Sequence, residues 1–140
     1  MQRFLTARQR YSLSDGGFAV IDSWRILSAL RDYYAPDGTD DELMPLCAAA
    51  ARELEIRLKS GADCSDIRLI NAAAAAANYR LCVKRLNSDE GVTSFKAGDV
   101  TVSVSPAALA ERAEKEKNTA MLLALPLLND DEFVFRQVSL

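Results

Sequence analysis

The sequence predicts a mainly α fold: a bundle of about four helices, with a small β-hairpin inserted before the last helix and a strand near the C-terminus. Three observations predict it. Apolar residues recur at helical spacing over residues 22–34, 43–58 and 66–86. Six consecutive alanines at 72–77 combine the highest helix propensity with the smallest side chain. Against this background, Val92-Thr93-Ser94-Phe95-Lys96-Ala97-Gly98-Asp99-Val100-Thr101-Val102-Ser103-Val104 switches to a period of two.

Residues 1–20 show no sustained period and are turn-rich over 12–17, so they are expected to form a flexible or extended N-terminal arm. Residues 21–140 are expected to form one domain. The first helix covers 22–34, with Ile26, Leu27 and Leu30 as its apolar stripe and Trp24, Tyr33 and Tyr34 at core positions. Pro36-Asp37-Gly38 ends it. Thr39 then stands as an N-cap, with Glu42 three residues on completing a capping box. Asp40, Asp41 and Glu42 suit the positive end of the helix dipole. Leu43, Cys47, Ala50, Leu54 and Leu58 form the buried stripe, Pro45 sits in the first turn or so, and Gly61 supplies the stop.

Asp63 or Ser65 is expected to cap the third helix, residues 66–86, with Ile67, Ile70, Ala74, Ala77 and Leu81 as its main buried stripe. The alanine run has two readings. It supplies propensity alone, or it marks a thin helix packed closely on several faces, with some neighbours belonging to other subunits.

In the hairpin, Val100, Val102 and Val104 share one face and Thr101 and Ser103 the other, and Gly98-Asp99 supplies the turn. A two-stranded ribbon is marginal in water and exposes unpaired edges, so it needs a partner. Ser105-Pro106 then starts the fourth helix with an N-cap and a proline at the first helical position. Its first half is charged, and Glu111–Lys115 and Arg112–Glu116 stand at i,i+4 spacing as a solvated face. Its second half, residues 120–125, is apolar all round and is expected to be buried, with Pro126 closing or kinking it. Beyond the acidic turn Asn129-Asp130-Asp131-Glu132, Phe133, Phe135 and Gln137 alternate with Val134, Arg136 and Val138 as a strand. That strand pairs with the hairpin of its own chain or with that of a neighbour.

The 140 residues carry a net charge of −3, with an isoelectric point near 5.0, against a main role in binding nucleic acid through a basic surface. Arg3, Arg8 and Arg10 read as a solvated tail. No run approaches a membrane span, and Phe4-Leu5 is too short an apolar stretch for a signal sequence. Three cysteines, Cys47, Cys64 and Cys82, are far from any CxxC spacing and fit a reducing, intracellular setting.

The chain has no histidine, which removes Ser-His and Cys-His dyads and His-ligated metal centres. No Ser-x-x-Lys motif stands in a convincing context. The acids at Asp40-Asp41-Glu42 and Asp130-Asp131-Glu132 sit where helix starts and turns use carboxylates, so they read as capping rather than as metal or acid–base groups. Gly16-Gly17 and Gly98 form no phosphate-cradling loop, and the aromatics of the first helix lack the basic groove of a nucleic-acid platform. The expectation is therefore a protein with no enzymatic activity and no cofactor or metal.

The Asp40-Asp41-Glu42-Leu43 helix start, the alanine-rich helix, the segment Thr93-Ser94-Phe95-Lys96-Ala97-Gly98-Asp99-Val100-Thr101-Val102-Ser103 and the helix after it resemble the head–tail connector (head-completion) proteins of tailed phages and prophages. The likeness covers about residues 39–128 and departs at the N-terminal arm and the Phe-rich C-terminal strand. It implies a helical subunit that forms a homo-oligomeric ring between portal and tail-completion proteins. DNA at most passes through such a ring, and the acidic charge is compatible with that passage. Assembly takes place in the bacterial host cytoplasm and the protein ends in the virion. Under this reading Phe95, Val100, Val102, Val104, Phe133 and Phe135 are the expected interface residues. The main alternative is a small helical adaptor domain, monomeric or dimeric, that binds one protein through the hairpin or tail and carries a single apolar groove. A third alternative is a metal enzyme built on the acidic residues.

Overall fold

The fold is that of a computed structural model, in which residues 19–88, 93–97 and 100–129 are described. It is mainly helical, with four α-helices among those residues: α1 (Ser23–Tyr34), α2 (Asp40–Glu55), α3 (Ile67–Asn87) and α4 (Pro106–Ala124).

Each helix start is built by a side chain that satisfies an otherwise orphaned backbone N–H. The Asp22 carboxylate accepts from the Trp24 N–H at 2.9 Å. Thr39 Oγ1 accepts from the Glu42 N–H at 3.3 Å. Ser105 Oγ accepts from the Ala108 N–H at 3.1 Å, with Pro106 at the first helical position. At α3 the structure corrects the expectation, because the cap is Asp66, which accepts from the Arg68 N–H at 2.9 Å. Asp63 instead folds the preceding loop, accepting from the Ser65 N–H at 2.9 Å and the Ser65 hydroxyl at 2.6 Å.

The turn between α1 and α2 uses Ala35 in the left-handed region, φ 41°, whose N–H closes α1 onto the Arg31 carbonyl at 3.1 Å. The Arg31 guanidinium then donates to Asp40 and to the Gly38 carbonyl, tying the end of one helix to the start of the next. Gly38 has φ 131°, and a Cβ there would lie 3.0 Å from the Glu42 carboxylate, so this turn requires glycine.

Helix α3 occupies the centre and contacts α1, α2 and α4. All six alanines at 72–77 are buried. A helix whose surface is bare methyl groups lets neighbours approach on every side, and the neighbours seen here all belong to the same chain. Around it pack Ile26 and Leu30 of α1, and Leu43, Cys47 and Leu54 of α2. Burial pushes the Cys47 thiol up to about 12.

Three expectations about burial are corrected. Ile67 is 56% exposed, because at the first position of α3 it projects from the helix end rather than into the bundle. Tyr33 is 65% exposed, whereas Tyr34 beside it is half-buried. In the apolar second half of α4 only Ala124 is fully buried, while Leu122 and Leu123 are 49% and 64% exposed. That helix turns one face to α3, and among the described residues its opposite face is left in solvent.

A 3₁₀ turn, Leu125–Leu127, carries Pro126 and ends α4. The chain then pairs with the segment after α2. The Lys59 N–H donates to the Leu127 carbonyl at 2.9 Å, and the Asn129 N–H donates to the Arg57 carbonyl at 2.6 Å. Leu58 and Leu128 face each other in an antiparallel bridge, and Leu128 is completely buried.

Between α3 and α4 the backbone forms β1 (Thr93–Ala97) and β2 (Val100–Val104), paired antiparallel with Thr93 opposite Val104 and Ala97 opposite Val100. Among the described residues this sheet has two strands. The Gly98-Asp99 turn, the expected terminal strand and most of the N-terminal arm lie outside the described residues.

Candidate interaction site

The expected interface residues divide into two groups. Phe95, Val100, Val102 and Val104 lie on β1 and β2, where the register sets Phe95 opposite Val102. Phe133 and Phe135 lie outside the described residues.

The helical body adds a feature that sequence reasoning missed. Helices α1 and α4 both pack on α3, and a groove of about 470 Å³ lies between them. Tyr33 and Tyr34 form its α1 wall, and Ala120 and Leu123 its apolar α4 wall, with Lys115 and Glu116 at the rim. Both rim charges are already engaged along α4. Lys115 pairs with Glu111 at 3.7 Å, and Arg112 pairs with Glu116 at 3.3 Å. Burial, with the Glu116 carboxylate and Tyr33 nearby, raises the pKa of the Tyr34 hydroxyl above its usual value. The groove therefore presents neutral, mainly apolar surface at its centre.

The sequence did carry a signal for this groove. Tyr33-Tyr34 and, from the apolar stretch at 120–125, Ala120 and Leu123 are its walls, and a helical period does not say what covers the outer face.

No protein-family model matches the chain, and no curated protein or solved structure matches it either.

Elsewhere the surface is laced by charge pairs within the body. Arg80 of α3 pairs with Glu53 of α2. The Lys117 ammonium stands 4.5 Å from the centre of the Tyr79 ring, joining α4 to α3 by a cation–π contact. The Arg85 guanidinium reaches the Asp37 carbonyl at 2.8 Å. Asp40, from the acidic start of α2, is engaged by Arg31 at 2.5 Å. Among the described residues no three His, Cys, Asp or Glu side chains gather into a group able to hold a metal ion. No helix among them is long and apolar enough to cross a membrane.

Proposed function

We propose that this chain is a non-enzymatic structural protein of a phage or prophage, a head–tail connector subunit that assembles as a homo-oligomeric ring between portal and tail. The observation that carries the reading is the contrast between a covered helical body and a ribbon that has two strands among the described residues. The alanines of α3 are covered by helices of the same chain, whereas β1 and β2 form a sheet of two strands among the described residues. A sheet of two strands is all edge, and edges are where one chain adds to another. A head-to-tail contact of that kind closes into a ring when the rotation between copies closes.

In this reading the hairpin, with its Gly98-Asp99 turn, and the C-terminal strand supply the contacts, through Phe95, Val100, Val102, Val104, Phe133 and Phe135. The portal and the tail-completion protein are the flanking partners. The resemblance over residues 39–128 supports the reading, as does an acidic chain past which DNA slides without sticking. Assembly is placed in the bacterial host cytoplasm, with the finished ring in the virion.

The α1–α4 groove favours a second reading, a helical adaptor domain that binds one protein as a monomer or dimer. The two readings separate on a Val102→Asp variant. A ring built through the hairpin falls apart to subunits when a charge is placed in the valine face, and light scattering shows the drop in mass. An adaptor that binds through the groove keeps its mass and its partner.

A further inference from the structure

The groove between α1 and α4 can take an occupant, because Tyr33 on one wall and Leu123 on the other are exposed among the described residues. We propose that it is the seat of this chain's own C-terminal segment, residues 133–138, folded back along α4 in the same subunit. The proposal does not depend on the connector reading. It gives Phe133 and Phe135 a place in the free subunit whether or not a ring forms.

Leu128 is fully buried, and the Asn129 N–H is bonded to the Arg57 carbonyl, so the tail leaves the body from a fixed point just past the end of α4. Leu123, at the near end of the groove, is only six residues back along the chain.

The three residues Asp130-Asp131-Glu132 span up to about 10 Å when extended, comparable to the rise of two turns of α4. Residues 133–138 span up to about 20 Å, and the groove from Lys115 to Leu123 runs about 12 Å along α4.

Phe133 and Phe135 are two apart and so share one face of an extended segment, about 7 Å from each other. Laid antiparallel to α4, that face sets Phe133 against Leu123, and Phe135 against Ala120 and the two tyrosines. The rim charges already have partners on α4, so an apolar occupant is preferred over an ionic one. A tethered segment also meets its groove at a far higher effective concentration than a separate molecule does.

The test uses the full chain with the photo-crosslinker benzoylphenylalanine at position 135. Isotopically heavy and light protein are mixed in equal amounts and irradiated at low concentration. Crosslinked peptides are then mapped by mass spectrometry on all species, covalent dimers included. The expected result is attachment to Tyr33, Tyr34, Ala120 or Leu123, with both peptides carrying the same isotope. Attachment to residues 93–104, attachment between heavy and light chains, or attachment with no preferred site overturns the proposal.

Leu123→Asp, a change at an exposed position that leaves the helical content in place, lowers the crosslink yield about tenfold, the factor expected for one lost apolar contact. A second reading without the crosslinker is hydrogen exchange. In the natural chain the amides of 133–138 exchange more slowly than in Leu123→Asp, and equal rates overturn the proposal. A chain that shows the crosslink and stays monomeric refutes the ring alone, and a ring without the crosslink refutes the groove alone.

Discussion

The Asn129 backbone N–H donates to the carbonyl of Arg57 at 2.6 Å, and this bond ties the end of α4 to the end of α2. Next to it Leu58 and Leu128 face each other in an antiparallel bridge, and Leu128 drives its side chain into the core. The point where the tail leaves the body is therefore anchored by backbone hydrogen bonds and by burial together.

That anchor makes a stability prediction. Leu128→Ala removes a fully buried side chain and is expected to cost about 2–5 kcal/mol, read as a fall in the urea midpoint. Leu122→Ala, at a half-exposed position of the preceding helix, is expected to change stability by no more than about 0.5 kcal/mol. Equal effects at the two positions would contradict the packing described for the end of α4.

The alanine face of α3 makes a second prediction. Ala74 is completely buried among helices of its own chain, so Ala74→Leu has no space to occupy without displacing one of them. The expected cost is about 1–3 kcal/mol in urea unfolding. Were the alanines there for helix propensity alone, the change would be close to neutral, because leucine is nearly as good a helix former.

Much of this body was legible in the chain. Thr39 and Ser105 announce helix starts because a hydroxyl, placed just before a helical period, has an N–H to cap. The cap of α3 was misread because Asp63, Ser65 and Asp66 are all good caps within four residues, and the deciding interaction is the Asp63–Ser65 turn that uses up the first two. Tyr33, Leu122 and Leu123 stand exposed for another reason. A period identifies an apolar face, but whether anything lies against it depends on how far the neighbouring helices reach. The groove shares that difficulty, since its walls come from two helices, α1 and α4, that both pack on α3.

Acid sensitivity provides a third test. The Arg68 guanidinium and N–H bonded to Asp66 hold its carboxyl below the usual carboxylate range, and the Ser65 hydroxyl and N–H do the same for Asp63. A carboxyl whose folded pKa lies below its unfolded one contributes stability that is fully present above the unfolded value. The contribution is lost as pH falls through the folded value. Stability is therefore expected to drop as the solution is acidified below about pH 4. Asp63→Asn with Asp66→Asn should flatten that part of the curve. Glu55 works in the opposite sense. Burial raises its pKa, so its contribution favours folding in acid and is lost as pH rises through the folded value. An acid limb that is unchanged in the double variant would show that these two loop carboxylates do not control it.

The central claim is that a self-sufficient helical body carries a ribbon that links one copy to the next. It is tested most directly by the mass of the purified chain, measured by light scattering over a wide concentration range and followed by electron microscopy of any large species. The account predicts a discrete multimer that images as a closed ring and whose share grows with concentration. A chain that keeps the mass of one subunit at the highest concentration reached would contradict intrinsic ring formation.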